Sequence, residues 1–381
     1  MKKLDRALLK KNIEKRAADN LASEKISGAS VLVCQNGEIL YKNCFGVTAP
    51  HGDVPVKEDT VYRIMSMTKP ITAVAVMILV ERGLLTLDTP IATLLPDFKR
   101  QNIVRFDENG ELETVGEAKT PITVLHLLTH TSGVGSRPVW AKQYELMSAE
   151  DKATMDASVS YFAKAGLAFE PFTAQSYSAF AAFSVLGKIA QLVTGEDYNE
   201  FLKKNIFEPC EMKDTTFVPT EDQWARMIKM HDLVDGKAVE GFIPKGCISR
   251  DIPCTNYLGG GGLVSTLGDY GNFAEMLLGG GVFKGRRVIS EESVRALSSP
   301  QIPEELQPGG VRWGLSMRVV VGENRRPVGS YGWSGAYGTH FWVDPENKIT
   351  AVYMKNSFYD GGSGAKTSAE FEKDVYASFE K

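Results

Sequence analysis

Apolar positions along the chain fall into two patterns, a helical spacing in some stretches and short strand-like runs in others. Residues 7–25 mix apolar and charged side chains at helical spacing and predict an amphipathic helix. The apolar run Ala29-Ser30-Val31-Leu32-Val33-Cys34 is followed by Gln35-Asn36-Gly37-Glu38 and then Ile39-Leu40-Tyr41. Asn-Gly between two such runs predicts a hairpin over 27–47. Residues 67–82 predict a helix that stops at Gly83. A short helix is expected over 123–130, broken at Ser132-Gly133, and an apolar helix over 178–193, ended by Thr194-Gly195. Residues 100–240 read mostly as helix and loop, and the polar stretch 99–118, with Asp107-Glu108-Asn109-Gly110, reads as an excursion from them. Four glycines at 259–262 precede a helix over 268–278. Strand patterns then dominate: 313–321, 330–333, 339–343 and 350–355.

Strands at both ends of a helical middle predict an α/β (α+β) fold. Its antiparallel sheet would come from N- and C-terminal segments flanked by helices. Residues 1–98 and 263–381 would form the sheet lobe and 99–262 an inserted, mainly helical lobe, with the active site between them. No internal repeat or low-complexity tract interrupts this plan.

Composition narrows the function. The 381 residues are 43% hydrophobic, enough for a large core. Net charge is −4 and the two signs are interspersed, so neither nucleic acid nor an anionic membrane is an expected partner. No run of 18 apolar residues predicts a membrane span. The N-terminus, Met1-Lys2-Lys3-Leu4-Asp5-Arg6, has no apolar core of a signal peptide. Five scattered cysteines (Cys34, Cys44, Cys210, Cys247, Cys254) suit reduced thiols better than a disulfide framework. A cytoplasmic location is expected, with the periplasm or secretion open if a leader was removed; a Cys247–Cys254 bridge belongs to that second case.

The candidate chemistry starts at Met65-Ser66-Met67-Thr68-Lys69-Pro70. A Ser and a Lys three apart at a helix start lie on one face, about 5–6 Å apart at Cβ. A serine hydroxyl is a weak nucleophile until a neighbouring base takes its proton, and this spacing supplies Lys69 as a candidate base. Proline is tolerated in the first helical turn, so Pro70 places Ser66 at or just before the N-terminus, where free N–H groups favour developing negative charge. His126 and His130 stand four apart on a helix, but Leu127 occupies the position where the zinc signature needs Glu, so both read as structural. The 259–262 run is not G-x-G-x-x-G, since Val264 stands at its last position, and no Walker pattern occurs. Gly332-Trp333-Ser334-Gly335-Ala336 misses the nucleophile elbow G-x-S-x-G by its last residue.

Several segments together resemble the serine β-lactamase and penicillin-binding-protein superfamily. The similarity is to the branch holding class C β-lactamases, DD-peptidases and the β-lactamase-like (family VIII) esterases. Leu127-Leu128-Thr129-His130-Thr131-Ser132-Gly133 is similar to that branch's LLTHTSG segment, and Gly260-Gly261-Gly262-Leu263-Val264-Ser265-Thr266 to its glycine-rich turn. Tyr177-Ser178-Ala179 falls where the branch carries Tyr-x-Asn, and Trp333-Ser334-Gly335 where it carries Lys-Thr-Gly, His-x-Gly or Trp-x-Gly. The matches keep family order from about residue 27 to 345.

The resemblance implies that Ser66 forms an acyl-enzyme and that Lys69 and Tyr177 share the general-base and general-acid work. It implies an oxyanion hole from the backbone N–H groups of Ser66 and Ala336. Trp333, Ser334, Gly335 and Ala179 would line the substrate site, Gly335 letting the strand edge come close. Two departures direct the choice of substrate. Ala179 replaces an amide that would grip a β-lactam side chain, and Trp333 replaces a Lys that would pair with the lactam carboxylate. The expected function is a carboxylesterase on short-to-medium acyl esters. A β-lactamase or DD-peptidase is the alternative, and a catalytically silent binding protein is the alternative of another class. The expected partner is a small-molecule ester or β-lactam; homo-oligomerisation stays open, and no cofactor or metal is called for.

Overall fold

The computed structural model describes residues 1–242, 250 and 254–380. Asn36 and Gly37 both take positive φ, 54° and 78°, as a two-residue hairpin turn requires. The strands they join, β1 (Gly28–Gln35) and β2 (Glu38–Gly46), pair antiparallel with a bulge between Val33 and Cys34. The C-terminal segment supplies β3 (Val311–Trp313), β4 (Arg318–Val320), β5 (Tyr331–Ser334), β6 (His340–Asp344) and β7 (Ile349–Met354). They complete a seven-stranded sheet of order β3-β4-β5-β6-β7-β1-β2. Every neighbouring pair is antiparallel. The fold is thus α+β with a sheet drawn from both ends of the chain, as expected.

Both faces of the sheet are covered, which is why β1, β6 and β7 are buried at every position. Side chains alternate between the faces. Val31, Val33, Trp342, Ala351 and Tyr353 pack against α1 (Arg6–Ala22) and the C-terminal helix, whose Phe371 and Val375 join them. Leu32, Cys34, Phe341, Val343 and Val352 face the larger core, which also holds Ile71, Val74, Leu127 and Phe183. That core therefore runs from the sheet into the middle of the chain.

The predicted helix at 67–82 is α2 (Thr68–Glu81), entered through a 3₁₀ turn at Met65–Met67. It is buried from Thr68 through Leu79, as a helix apolar on all sides must be. Fully burying each Ile, Leu or Val contributes about 1.5–3 kcal/mol, which offsets the cost of one buried amine on the same helix. Further helices are α3 (Ala181–Thr194), ended at Gly195 in the left-handed conformation, α4 (Leu267–Leu278) and α5 (Lys366–Tyr376).

Two expectations need correction. The polar excursion at 99–118 is an antiparallel hairpin, Asn102–Phe106 with Leu112–Glu117; its turn residues were visible but its strands are mostly exposed and lack a hydrophobic face. A second hairpin, His231–Val234 with Lys237–Glu240, lies in the same middle region. The strand expected over 313–321 is two strands, split by a turn in which Ser316 takes a φ of 75°. Cys34, Cys44 and Cys210 are free thiols, and Cys247 lies outside the described residues. Among the described residues no helix is long and apolar enough to cross a membrane.

Candidate active site

Ser66 sits in the 3₁₀ turn that leads into α2, and its side chain is half-buried. Met65, just before it, is held at a φ of 47°. A non-glycine residue there stores strain and is kept in place only by its surroundings. One helical turn on, Lys69 is fully buried. Its Nζ lies 3.3 Å from Ser66 Oγ, 2.6 Å from the carbonyl oxygen of Ala179 and 2.7 Å from that of Gly260. Burial holds its pKa well below the ordinary lysine value. A neutral amine has two N–H bonds and one lone pair. With both N–H groups donated to the carbonyls, a neutral Lys69 would have its lone pair left for Ser66 Oγ, 3.3 Å away.

Tyr177 closes the other side of Ser66. Burial pushes its phenol up to about 12, against the lowering effect of hydrogen bonds with Ser66 and with Trp333. Trp333 Nε1 donates to the Tyr177 hydroxyl at 3.3 Å. Lys69 Nζ is 4.8 Å from the centre of the Tyr177 ring. The two groups therefore move in opposite directions: lysine towards the free amine, tyrosine towards the neutral phenol. A tyrosinate stabilised by a lysine cation runs against both shifts.

His130 supports this arrangement from below. Its Nδ1 accepts from the Ser178 N–H at 3.1 Å, and its carbonyl accepts from the Ser176 N–H at 3.0 Å. Its ring lies 4.5 Å from that of Tyr177 and 4.5 Å from that of Trp313. The turn carrying Tyr177 is thus clamped on both sides of that residue. His126 closes a capping box with Thr123 at the start of the helix Val124–Leu128. Both histidines have structural partners, in line with the reading of the sequence.

Strand β5 forms the opposite wall. The Trp333 indole packs against Trp313, with ring centres 4.6 Å apart. Gly335 follows, and a Cβ there would lie 2.3 Å from the Ile64 carbonyl oxygen and 2.2 Å from Thr339 Oγ1. Only glycine lets this strand end meet the segment leading to Ser66. Ala336 is exposed, and its N–H has no backbone acceptor among the described residues.

Ser334 needs correction as a substrate-lining residue. Strand alternation turns its side chain to the other face of the sheet, towards α5. There Ser334 Oγ lies 2.8 Å from His340 Nδ1, and His340 Nε2 lies 2.8 Å from Glu372 Oε1. Serine, imidazole and carboxylate in a row are the parts of a hydrolase triad. This row is buried under α5, however, with Ser334 only 5% exposed. Ala179 also contributes a backbone acceptor: its carbonyl oxygen holds Lys69. The Gly260 carbonyl, His130 and Trp313 were not singled out as site residues, because backbone acceptors and aromatic packing leave no spacing signal. Two surface pockets of about 810 and 720 Å³ lie elsewhere, and neither is lined by Ser66, Lys69 or Tyr177.

Several known proteins match most of this chain. Protein Rv1367c of Mycobacterium tuberculosis is 31% identical over 86% of this chain and 85% of its own. Esterase EstB of Burkholderia gladioli is 27% identical over 98% of this chain and 97% of its own. The solved structure of EstCE1, described as a hydrolase with promiscuous acyltransferase activity, superposes with a TM-score of 0.81. It shares 22% identity and covers 97% of this chain and 99% of its own, a likeness of fold. The Beta-lactamase family model matches residues 9–371, nearly the whole length, and the chain belongs to that family.

Proposed function

We propose that this protein is a serine carboxylesterase that works through an acyl-enzyme on Ser66. The observation that carries the reading is the buried Lys69 amine, held by two carbonyl oxygens and 3.3 Å from Ser66 Oγ. Lys69 takes the hydroxyl proton as Oγ attacks the ester carbonyl. The backbone N–H groups of Ser66 and Ala336 receive the negative charge that develops on the carbonyl oxygen. Tyr177, a neutral phenol beside Ser66, passes its proton to the leaving alkoxide and recovers the one Lys69 took, so both groups end the step neutral. Water then hydrolyses the acyl-enzyme, its proton following the same route back to Ser66 Oγ. The esterase names of relatives such as EstB support the ester reading. Free thiols at Cys34, Cys44 and Cys210 support a reducing, cytoplasmic location.

Substrate choice follows from what lines the wall. Where a lactam-binding site needs a cation and an amide, Trp333 and Ala179 present an indole and a methyl group. Trp333 spends its single N–H on Tyr177. A hydrogen bond to a charged group contributes about 1.5–3 kcal/mol, and two such contacts are forgone with a β-lactam. We expect kcat/KM for a chromogenic cephalosporin to trail that for a short p-nitrophenyl ester by about 10²–10⁴-fold. A p-nitrophenyl ester series run beside the cephalosporin on one preparation at pH 7–8 measures this. Equal or faster lactam turnover would overturn the esterase reading in favour of a β-lactamase.

A further inference from the structure

We propose that Asn356, with Thr339 as a second tie, is a positioning residue that fixes the two halves of the oxyanion site relative to each other. The proposal rests on the reading above, in which the N–H groups of Ser66 and Ala336 bind the carbonyl oxygen. Those two groups belong to segments far apart in sequence, the turn before α2 and the turn after β5. An oxyanion donor is useful only within about 2.7–3.1 Å of the developing charge. Something must therefore set the distance between the two turns, and the strained Met65 turn cannot hold itself in place.

Asn356 follows the end of β7 and is 2% exposed. Its Oδ1 accepts from the Arg63 N–H at 3.0 Å, and its Nδ2 donates to the Arg63 carbonyl oxygen at 3.0 Å. Nδ2 also donates to the Lys355 carbonyl oxygen at 2.8 Å. One side-chain amide thus pairs with both backbone groups of a single residue, as a neighbouring strand would. Arg63 lies three residues before Ser66.

The residues on either side of Asn356 reach the other half. The Ser357 N–H donates to the Tyr337 carbonyl oxygen at 2.8 Å, one residue past Ala336. Buried Lys355 pairs with Asp360 at 2.9 Å. From Asp360 the chain passes so close under the oxyanion turn that a Cβ on Gly361 would lie 1.8 Å from the Ala336 carbonyl oxygen. The Gly362 N–H donates to the Gly335 carbonyl oxygen at 2.9 Å. Lys355-Asn356-Ser357 therefore grips the Ser66 side by a side chain and the Ala336 side by its backbone. Thr339 Oγ1 adds the direct tie, donating to the Ile64 carbonyl oxygen at 3.0 Å.

The test compares Asn356→Ala and the nearly isosteric Thr339→Val with the wild type on p-nitrophenyl acetate. Each folded variant is expected to lose about 10–100-fold in kcat with KM within about twofold, since a misplacement of about 1 Å can cost 10²-fold. Inhibition by an alkyl boronic acid, which forms a tetrahedral adduct on a serine, should weaken by the same factor. Loss of active enzyme also lowers kcat at unchanged KM, so kcat is taken per active site titrated with a fluorophosphonate, and the boronate constant, which does not depend on the amount of active enzyme, separates the two. If Asn356→Ala does not fold, Thr339→Val is read by the same criteria. Wild-type kcat and boronate inhibition in a folded variant, or a loss confined to KM, overturns the proposal. Failure of the underlying reading looks different: Ser66→Ala would then keep its activity, and both ideas fall together.

Discussion

Ser66→Ala is expected to lower kcat on a short p-nitrophenyl ester by about 10⁴–10⁶-fold while the protein stays folded. The size follows from the mechanism: without the nucleophile the acyl-enzyme route closes, and only binding and oxyanion stabilisation remain. At about 1.4 kcal/mol per tenfold, the loss is about 5–8 kcal/mol of transition-state stabilisation. The fold survives because Ser66 is half-buried in a turn and its hydroxyl caps no helix. Steady-state kinetics on purified variant, with a thermal melt beside it, checks both halves. A loss below tenfold would move the nucleophile elsewhere.

Lys69→Met and Tyr177→Phe each lower kcat by about 10²–10⁴-fold, the range of a positioned acid or base. The double variant falls less than tenfold below the worse single one, because groups that serve one proton path are not additive. Lys69→Met leaves the carbonyl oxygens of Ala179 and Gly260 without their donor, at about 1–3 kcal/mol for an unsatisfied buried group, so a melt accompanies the kinetics. The pH profile carries the assignment of base. In the proposed mechanism Lys69 works as the free amine, so kcat/KM is expected to fall as the pH drops through its lowered pKa and to be flat above it. Tyr177, pushed up to about 12, keeps its proton across that plateau. Tyr177→Phe therefore retains the acid limb on its residual activity. An acid limb lost in Tyr177→Phe, or activity that rises only near the ordinary lysine pKa, would hand the base role to another group.

The parts of this site that can be read in the sequence are those fixed by local spacing. Ser66 and Lys69 share a helix face because they are three apart, and Pro70 sets where that helix begins. The hairpin of β1 and β2 follows from Asn36-Gly37, whose backbone conformation few other pairs adopt. Tyr177 has no such signal and was found through its order among other family segments. The acceptors that hold Lys69 could not be read, because the Ala179 and Gly260 carbonyl oxygens converge only once α2, α3 and the glycine run pack together. Ser334 was misplaced for a simpler reason. Trp333 and Gly335 face the cleft, and a residue between them on a strand must face away. The hairpin at 102–117 was missed because exposed strands show little hydrophobic alternation, even with a clear turn between them.

The central claim is a covalent acyl group on Ser66. Acid quenching during turnover of a slowly hydrolysed p-nitrophenyl ester, followed by intact mass measurement and peptide mapping, tests it directly. The account predicts one added acyl group per chain, on the peptide containing Ser66, and none in Ser66→Ala. An acyl group on the peptide containing Ser334, or full turnover with no covalent adduct at any time, would contradict it.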